Sequence, residues 1–335
     1  MSEIKDIALS VKDLKTFFYT NNRCNKAVNG VSFDIEKGKT LCIVGESGCG
    51  KSVTAATIMQ LLPTLSRIEE GEIIFYKEDK KINIEKLERN GKAMRDIRGS
   101  EIAMIFQDPM TALNPVYTVG FQIGENLKYH TNLNKEEIRK KTISLLSDMG
   151  IPLPEKRIDE YPHSYSGGMR QRAMIAMAMA CNPKILIADE PTTALDVTIQ
   201  AQIFELMAKL KKDYDTAIML ITHDMGVVAE LADNVAVMYM GNIVESGTAS
   251  DVLRRPTHPY TKALLDSVPV LGRGRDQDIQ PIKGSTPDPY DRPIGCQFAP
   301  RCNWADKSCD TMPEISNLSP THEVRCHKYK EIFQY

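Results

Sequence analysis

Gly45-Glu46-Ser47-Gly48-Cys49-Gly50-Lys51-Ser52 follows the apolar run Leu41–Val44, and its residue types and spacing suit phosphate chemistry. Glycines at these positions let backbone N–H groups wrap phosphate oxygens, Lys51 reaches the β- and γ-phosphates, and Ser52 places a hydroxyl on Mg²⁺. The helix expected next, over Lys51–Leu62, points its positive end at the same charge for about 0.5–2 kcal/mol. A second such loop, Ser166-Gly167-Gly168-Met169-Arg170-Gln171-Arg172, lies far downstream. A serine and two glycines opening a helix leave several N–H groups free beside a hydroxyl. The apolar run Ile185-Leu186-Ile187-Ala188 ends on Asp189-Glu190. Asp189 fits the carboxylate that holds Mg²⁺ through water, and Glu190 the one that polarises attacking water. Gln107, in Ile105-Phe106-Gln107-Asp108-Pro109, and His223, in Ile221-Thr222-His223-Asp224, each follow a strand on the side where a nucleotide would lie. A lone histidine after a strand reads as structural, but the order and spacing of His223 behind the other motifs make it a site candidate.

A different constellation sits near the end. Cys296, Cys302, Cys309 and Cys326 are spaced C-x₅-C-x₆-C-x₁₆-C, wider than the short knuckles of zinc ribbons. Four thiolates suit tetrahedral zinc or an iron–sulfur cube, with His322 and His327 as substitute zinc ligands, and free thiols are the third reading. Even a real metal here could be only a staple for a segment too small to bury its own core. Cys24, Cys42, Cys49 and Cys181 are dispersed and read as reduced thiols.

These groups need elements to hold them. Alternation over Ile7–Val11 and Ala27–Ile35 predicts strands of a β-rich flap, and Leu41–Val44 a short buried strand feeding the first glycine loop. From about Val116 to Gly150 the pattern turns helical: Asn134 caps Lys135–Met149, Glu137 completes a capping box and Gly150 supplies the stop. Strand and helix then alternate through Ile185–Ala188, Val197–Lys212, Ala217–Ile221 and Val235–Tyr239, predicting a parallel sheet. Beyond Arg255 periodicity fades, and ten of the eighteen prolines fall in the last eighty residues. That texture predicts a small appended domain over 256–335, after a nucleotide-binding domain over 1–255 whose helical insert spans about 116–180.

At 335 residues and 42% hydrophobic, the chain has material for two or three domains. Net charge of −2, with basic residues scattered, gives no drive toward nucleic acid. No apolar run is long enough to span a bilayer, and Met1-Ser2-Glu3-Ile4-Lys5-Asp6 lacks a signal pattern. The expected location is cytosolic, with membrane contact coming from a partner.

Taken in order, the motifs resemble those of the ATP-binding subunits of ABC transporters over approximately Ile7 to Leu253. Gly45–Ser52 looks like the Walker A loop, Gln107 the Q-loop, Ser166–Gln171 the signature, Ile185–Glu190 Walker B, Ala194-Leu195-Asp196 the D-loop and His223 the switch histidine. The resemblance implies a P-loop α/β fold with an antiparallel flap and a helical insert. It also implies a head-to-tail pair, in which ATP lies between the Walker A loop of one subunit and the signature of the other. Gly45 to Ser52 and Val53 would then line one side of the nucleotide that this chain holds, and Ser166, Gly168 and Asp196 would contact the nucleotide held by the other subunit. Gln107 would join Ser52 and Asp189 at Mg²⁺, and Glu190, His223 and Gln107 would carry catalysis. An aromatic of the flap would stack on adenine; Phe17, Phe18 and Tyr19 compete, with Phe18 preferred and Tyr19 next. Two departures stand out: Tyr165 replaces a usual leucine, and Met169 a usual glutamine.

Three stretches narrow the likeness: Asp108–Pro115, Ser166–Arg172 with Met174-Ile175-Ala176-Met177-Ala178, and His258–Leu265. They look like the dipeptide/oligopeptide permease ATPases, with Met169 and the methionine–alanine run similar to the D-type subunit. That resemblance implies an F-type ATPase partner in a heterodimer, two integral membrane subunits docked near Gln107 and the helical insert, an extracytoplasmic binding protein, and a peripheral site on the cytoplasmic face. It also favours [4Fe–4S] over zinc at the tail cysteines. Related cargo such as a chelated metal stays open. A soluble ABC ATPase of DNA repair or translation is disfavoured, since such chains carry long coiled-coil insertions or two nucleotide domains.

Overall fold

The structure is a computed structural model that describes residues 6–20, 23–78, 80–108, 112–193, 195–267 and 282–332. Met1 to Lys5 of the leader reading, Pro109, Met110 and Thr111 of the peptide-permease stretch, and Ala194 of the D-loop lie outside the described residues. The strands, in chain order, are β1 (Ile7–Thr20), β2 (Arg23–Glu36), β3 (Thr40–Val44), β4 (Ser66–Lys77), β5 (Lys80–Asn83) and β6 (Ile102–Ile105). They continue as β7 (Ile185–Asp189), β8 (Ala217–Thr222), β9 (Asn234–Tyr239), β10 (Asn242–Thr248), β11 (Ser316–Ser319) and β12 (His322–Val324). Two compact bodies result, one from 1–8, 35–39 and 86–220, the other from 9–34, 40–85 and 221–335.

In the first body β6 and β7 run parallel, Ile102 opposite Ile185 through Ile105 opposite Ala188, and β7 is flanked on its other edge by β8. Every residue of β7 is buried, the pattern of a parallel strand covered on both faces. The predicted helical stretch contains helices Val119–His130, Lys135–Asp148, Pro154–Arg157 and Gly167–Met179. The Asn134 capping box forms in full: its Oδ1 accepts from the Glu136 and Glu137 N–H groups at 3.0 and 3.1 Å, and Glu137 accepts the Asn134 N–H at 2.7 Å. Gly150 follows at φ 71°, the left-handed stop a Cβ would resist. Val197–Tyr214 runs two residues past its predicted end and stops at Asp215, itself left-handed.

The second body holds a four-stranded sheet of order β2-β1-β4-β5, the predicted flap, in which β4 runs antiparallel to β1 and β5. It also holds β3 paired in parallel with β9, whose other edge continues antiparallel through β10, β12 and β11. The tail therefore does more than coil: β12 sets Val324 opposite Glu245 of β10, and Phe298 is buried against Tyr239 and Tyr260. Sequence periodicity misses β11 and β12 because segments of three and four residues carry too few alternations to register.

A buried polar knot joins β10 to the tail. Glu245 accepts from the Thr257 N–H and hydroxyl at 2.8 Å each and from the His258 N–H at 2.9 Å, and its Oε1 lies 2.9 Å from His322 Nε2. Burial pushes the Glu245 carboxyl up, but His322 and Thr257 outweigh it and hold it below its ordinary value. His258 is fully enclosed, and its Nδ1 caps the helix Pro259–Asp266 by accepting the Tyr260 N–H at 3.0 Å. Burial lowers its pKa to about 4, against a smaller opposing pull from Glu245. Between pH 6.5 and 4 the unfolded chain thus binds a proton at His258 that the folded chain refuses, so stability falls as pH falls, by about 3 kcal/mol at pH 4. Glu245 adds loss in the same direction at lower pH still, as the folded carboxylate is protonated. Denaturant titrations from pH 7 to 4 check this: His258→Asn, which keeps a capping acceptor but does not titrate, should flatten the slope, and an unchanged slope would assign it elsewhere.

Candidate functional site

The first glycine loop leaves β3, whose residues are all buried, and enters the helix Lys51–Ile58 through Gly50 at φ 107°. That helix is shorter than predicted; Gln60 turns left-handed and Pro63 follows. Gly45 at φ 153° and Gly48 at φ 78° complete a backbone path that L side chains resist. Around it, a Cβ on Gly45 would collide with the Met238 carbonyl, and one on Gly50 with the Ala27 carbonyl. At Gly48 the same position is open space. Lys51 is buried and donates from Nζ to the Gly45 and Glu46 carbonyls at 2.7 and 3.1 Å, with the Cys49 sulfur at 3.9 Å. Carbonyl oxygens here occupy the acceptor role that phosphate oxygens take when an anion is bound. A cradle formed by glycine conformations, with one lysine turned into it, fits a polyphosphate. Ser47, Gly48 and Ser52 are exposed, and Val53 is half-buried behind them.

Glu190 follows β7 in the left-handed region, φ 45°, an unusual conformation for a residue with a side chain. Its Oε2 accepts from Gln107 Nε2 at 2.9 Å and from the Thr193 hydroxyl at 3.2 Å. Two sequence-predicted residues 83 positions apart thus meet, Gln107 at the end of β6 orienting the carboxylate at the end of β7. Asp189 is buried one residue earlier. Ser52, Asp189 and Gln107 are oxygen donors of the kind Mg²⁺ takes. His223 stands exposed after β8, before the helix Met225–Leu231 capped by Asp224. Thr193 was not singled out from sequence; a hydroxyl three residues beyond the carboxylate, within a Pro191-Thr192-Thr193 turn, is the signal that could have found it.

In the signature loop Ser166 is the exposed N-cap of Gly167–Met179, its hydroxyl oxygen accepting the Met169 N–H at 3.3 Å. A Cβ on Gly168 would come within 3.0 Å of Ile199, whose N–H donates to the Asp196 carboxylate at 3.0 Å. Signature and D-loop therefore approach each other at Ile199 and at Leu195, whose side chain lies 3.8 Å from a Cβ position on Gly167. Tyr165, the departure from leucine, is buried with its hydroxyl donating to the Arg157 carbonyl at 2.9 Å; burial pushes its pKa up to about 12, so it stays a neutral anchor. Of the flap aromatics, Phe18 is half-buried on β1, Phe17 has the Lys26 ammonium 5.7 Å from its ring centre, and Tyr19 donates to Glu69 at 2.7 Å with Arg67 over its ring.

The tail cysteines require a correction. All are free thiols, and among the described residues no group of three or more His, Cys, Asp or Glu is placed to hold a metal ion. Cys296, Cys302, Cys309 and Cys326 do lie near one another. Burial, reinforced by the neighbouring sulfurs, pushes Cys296 and Cys302 up and Cys326 up to about 12. Neither the iron–sulfur cluster nor zinc is supported by this packing. The proposed substitute ligands are also otherwise engaged: His322 faces Glu245 and Thr257, and His327 Nε2 lies 3.1 Å from the Thr311 carbonyl. The segment is also tied by hydrogen bonding, including the Cys296 N–H to the Cys309 carbonyl at 2.9 Å.

Comparison with known proteins agrees with the arrangement of these loops. Residues 28–193 match the ABC transporter family, and residues 244–309 the oligopeptide/dipeptide transporter C-terminal region. The dipeptide transport ATP-binding protein DppD of Bacillus subtilis is 52% identical over 95% of this chain and 93% of its own. The oligopeptide transport ATP-binding protein OppD of the same organism is 50% identical over 95% and 87%. Among solved structures, a dimeric post-hydrolysis state of the ATP-binding cassette MJ0796 bound to ADP and Pi matches with a TM-score of 0.63 and 27% identity, covering 72% of this chain and 98% of that one. A cradle of left-handed glycines, a carboxylate pinned at the end of a buried strand, and relatives at half identity over nearly the whole length place this chain in the dipeptide/oligopeptide family of ABC transporter ATP-binding subunits.

Proposed function

We propose that this chain is the ATP-hydrolysing subunit of an importer that energises uptake of dipeptides or oligopeptides through membrane partner subunits. The observation that carries the reading is the Gly45–Ser52 loop, whose left-handed glycines and inward-turned Lys51 form an anion cradle. Gly45 to Val53 hold the nucleotide phosphates from one side. The signature of a second subunit, an F-type ATPase, meets it from the other, while Ser166, Gly168 and Asp196 of this chain face the nucleotide that the partner's phosphate loop holds. Ser52, Asp189 and Gln107 hold Mg²⁺, which when bound neutralises charge on the phosphate oxygens. Glu190 accepts a proton from the attacking water, with Gln107 and Thr193 fixing the carboxylate's orientation. His223 donates a hydrogen bond to the phosphoryl oxygens, and Phe18 or Tyr19 stacks on adenine. No helix among the described residues is long and apolar enough to cross a membrane. In this reading cargo passes through two integral membrane subunits fed by an extracytoplasmic binding protein. The chain works at the cytoplasmic face.

Reconstitution tests this reading. Vesicles carrying the two membrane subunits, the binding protein, the F-type ATPase and this chain should take up labelled di- or oligopeptides only with ATP. Uptake that persists without this chain would overturn it.

A further inference from the structure

The phosphate loop carries an acidic residue where it must cradle an anion, and the tail grips that residue. Arg301, its side chain only 4% exposed, sets its two terminal nitrogens 2.6 and 3.0 Å from the two carboxylate oxygens of Glu46. The guanidinium is itself fixed: Nε donates to the Lys283 carbonyl at 3.0 Å, and the Tyr239 and Phe298 ring centres each lie 5.9 Å away. Independently, the Tyr260 hydroxyl oxygen accepts the Glu46 N–H at 2.8 Å. Tyr260 is fully buried, its ring 4.7 Å from Tyr239 and 5.3 Å from Phe298. Two residues from beyond the nucleotide motifs thus hold both the side chain and the backbone of one loop residue.

A carboxylate beside a polyphosphate repels it, and a bidentate guanidinium is the strongest neutral-making partner a side chain can offer. The N–H held by Tyr260 fixes the plane of the peptide entering the loop, so the phosphate-facing groups that follow start from one conformation. We propose that Arg301 and Tyr260 are positioning residues of the nucleotide site, neutralising Glu46 and preforming the phosphate loop from the C-terminal segment. This rests on reading Gly45–Ser52 as the ATP site. A tail that merely packs on the core would also form such contacts, but it would not couple the charge of Glu46 to nucleotide affinity.

Equilibrium binding of fluorescent Mg-ATP analogue to the full chain separates the two. Arg301→Met should raise Kd roughly tenfold, the effect of losing one charge-assisted pair. Adding Glu46→Gln to that variant should restore Kd to within about threefold of the starting value, because the uncompensated charge is gone. Kd unchanged in Arg301→Met, or a double variant as weak as the single one, overturns the proposal. If Arg301→Met does not fold, Tyr260→Phe removes only the acceptor oxygen; Kd should rise roughly threefold, and no rise overturns the positioning role. Lys51→Met distinguishes the underlying reading: it should abolish binding, whereas undiminished binding would sink the ATP site and the proposal together.

Discussion

Replacing Glu190 by glutamine should lower ATP turnover by roughly 10²–10⁴-fold while leaving nucleotide binding intact. The substitution is close to isosteric, and the new amide oxygen can still accept from Gln107 and Thr193, so the left-handed turn and its two hydrogen bonds survive. Only proton acceptance is lost. The carboxylate's setting argues for chemistry over structure: a residue with a side chain at φ 45° is held against a conformational cost, and such costs persist where surroundings over-determine them. Single-turnover hydrolysis and equilibrium nucleotide binding, measured side by side, check the assignment. Near-normal hydrolysis would remove Glu190 from the catalytic step; weakened binding with proportionate loss of rate would instead make it a ligand. Gln107→Ala should give a smaller loss, since it frees the carboxylate without removing it.

Much of this was legible in the chain because each motif sits where two periodicities meet. The buried runs Leu41–Val44 and Ile185–Ala188 announce strands, and the glycines and carboxylates that follow mark where those strands end. Asn134 and Glu137 fixed a helix start to the residue because capping is local. What depended on distant partners stayed hidden. Tyr260 lay in view within His258–Leu265, and Arg301 stands beside Cys302 of the cysteine group, but nothing in either place points to Glu46, some 214 and 255 positions earlier. The cysteines misled for a related reason: four thiols close in sequence suggest ligands, whereas a ligand set depends on how the fold places the sulfurs, and among the described residues no group is placed to hold a metal ion. The tail's strands were too short to show a period and are visible only through pairing with β10.

The glycines of the phosphate loop look alike in sequence yet should respond differently to alanine. At Gly48, φ is 78° and a Cβ meets nothing within 4 Å, so the cost to folding is the left-handed backbone alone, about 1–2 kcal/mol. At Gly50, φ is 107° and the Cβ would also collide with the Ala27 carbonyl and come within 2.8 Å of the Met238 methyl. Adding a steric clash of about 1–3 kcal/mol gives a total of about 2–5 kcal/mol for Gly50→Ala. Gly45→Ala belongs with Gly50→Ala, because its Cβ meets the Met238 carbonyl, a main-chain atom that cannot swing aside. Nucleotide affinity should separate from stability at Gly48. Gly48→Ala places its methyl on the open side of the cradle, where phosphates would sit, so it should weaken Mg-ATP binding by roughly 5–100-fold in a protein that is still well folded. Gly50→Ala should lose binding because the loop itself is displaced. Denaturant midpoints and nucleotide titrations on the three variants test both rankings. A Gly48→Ala protein as unstable as Gly50→Ala would mean that the open space at Gly48 is filled in solution, and one that binds Mg-ATP normally would mean that the phosphates do not lie on that face of the loop.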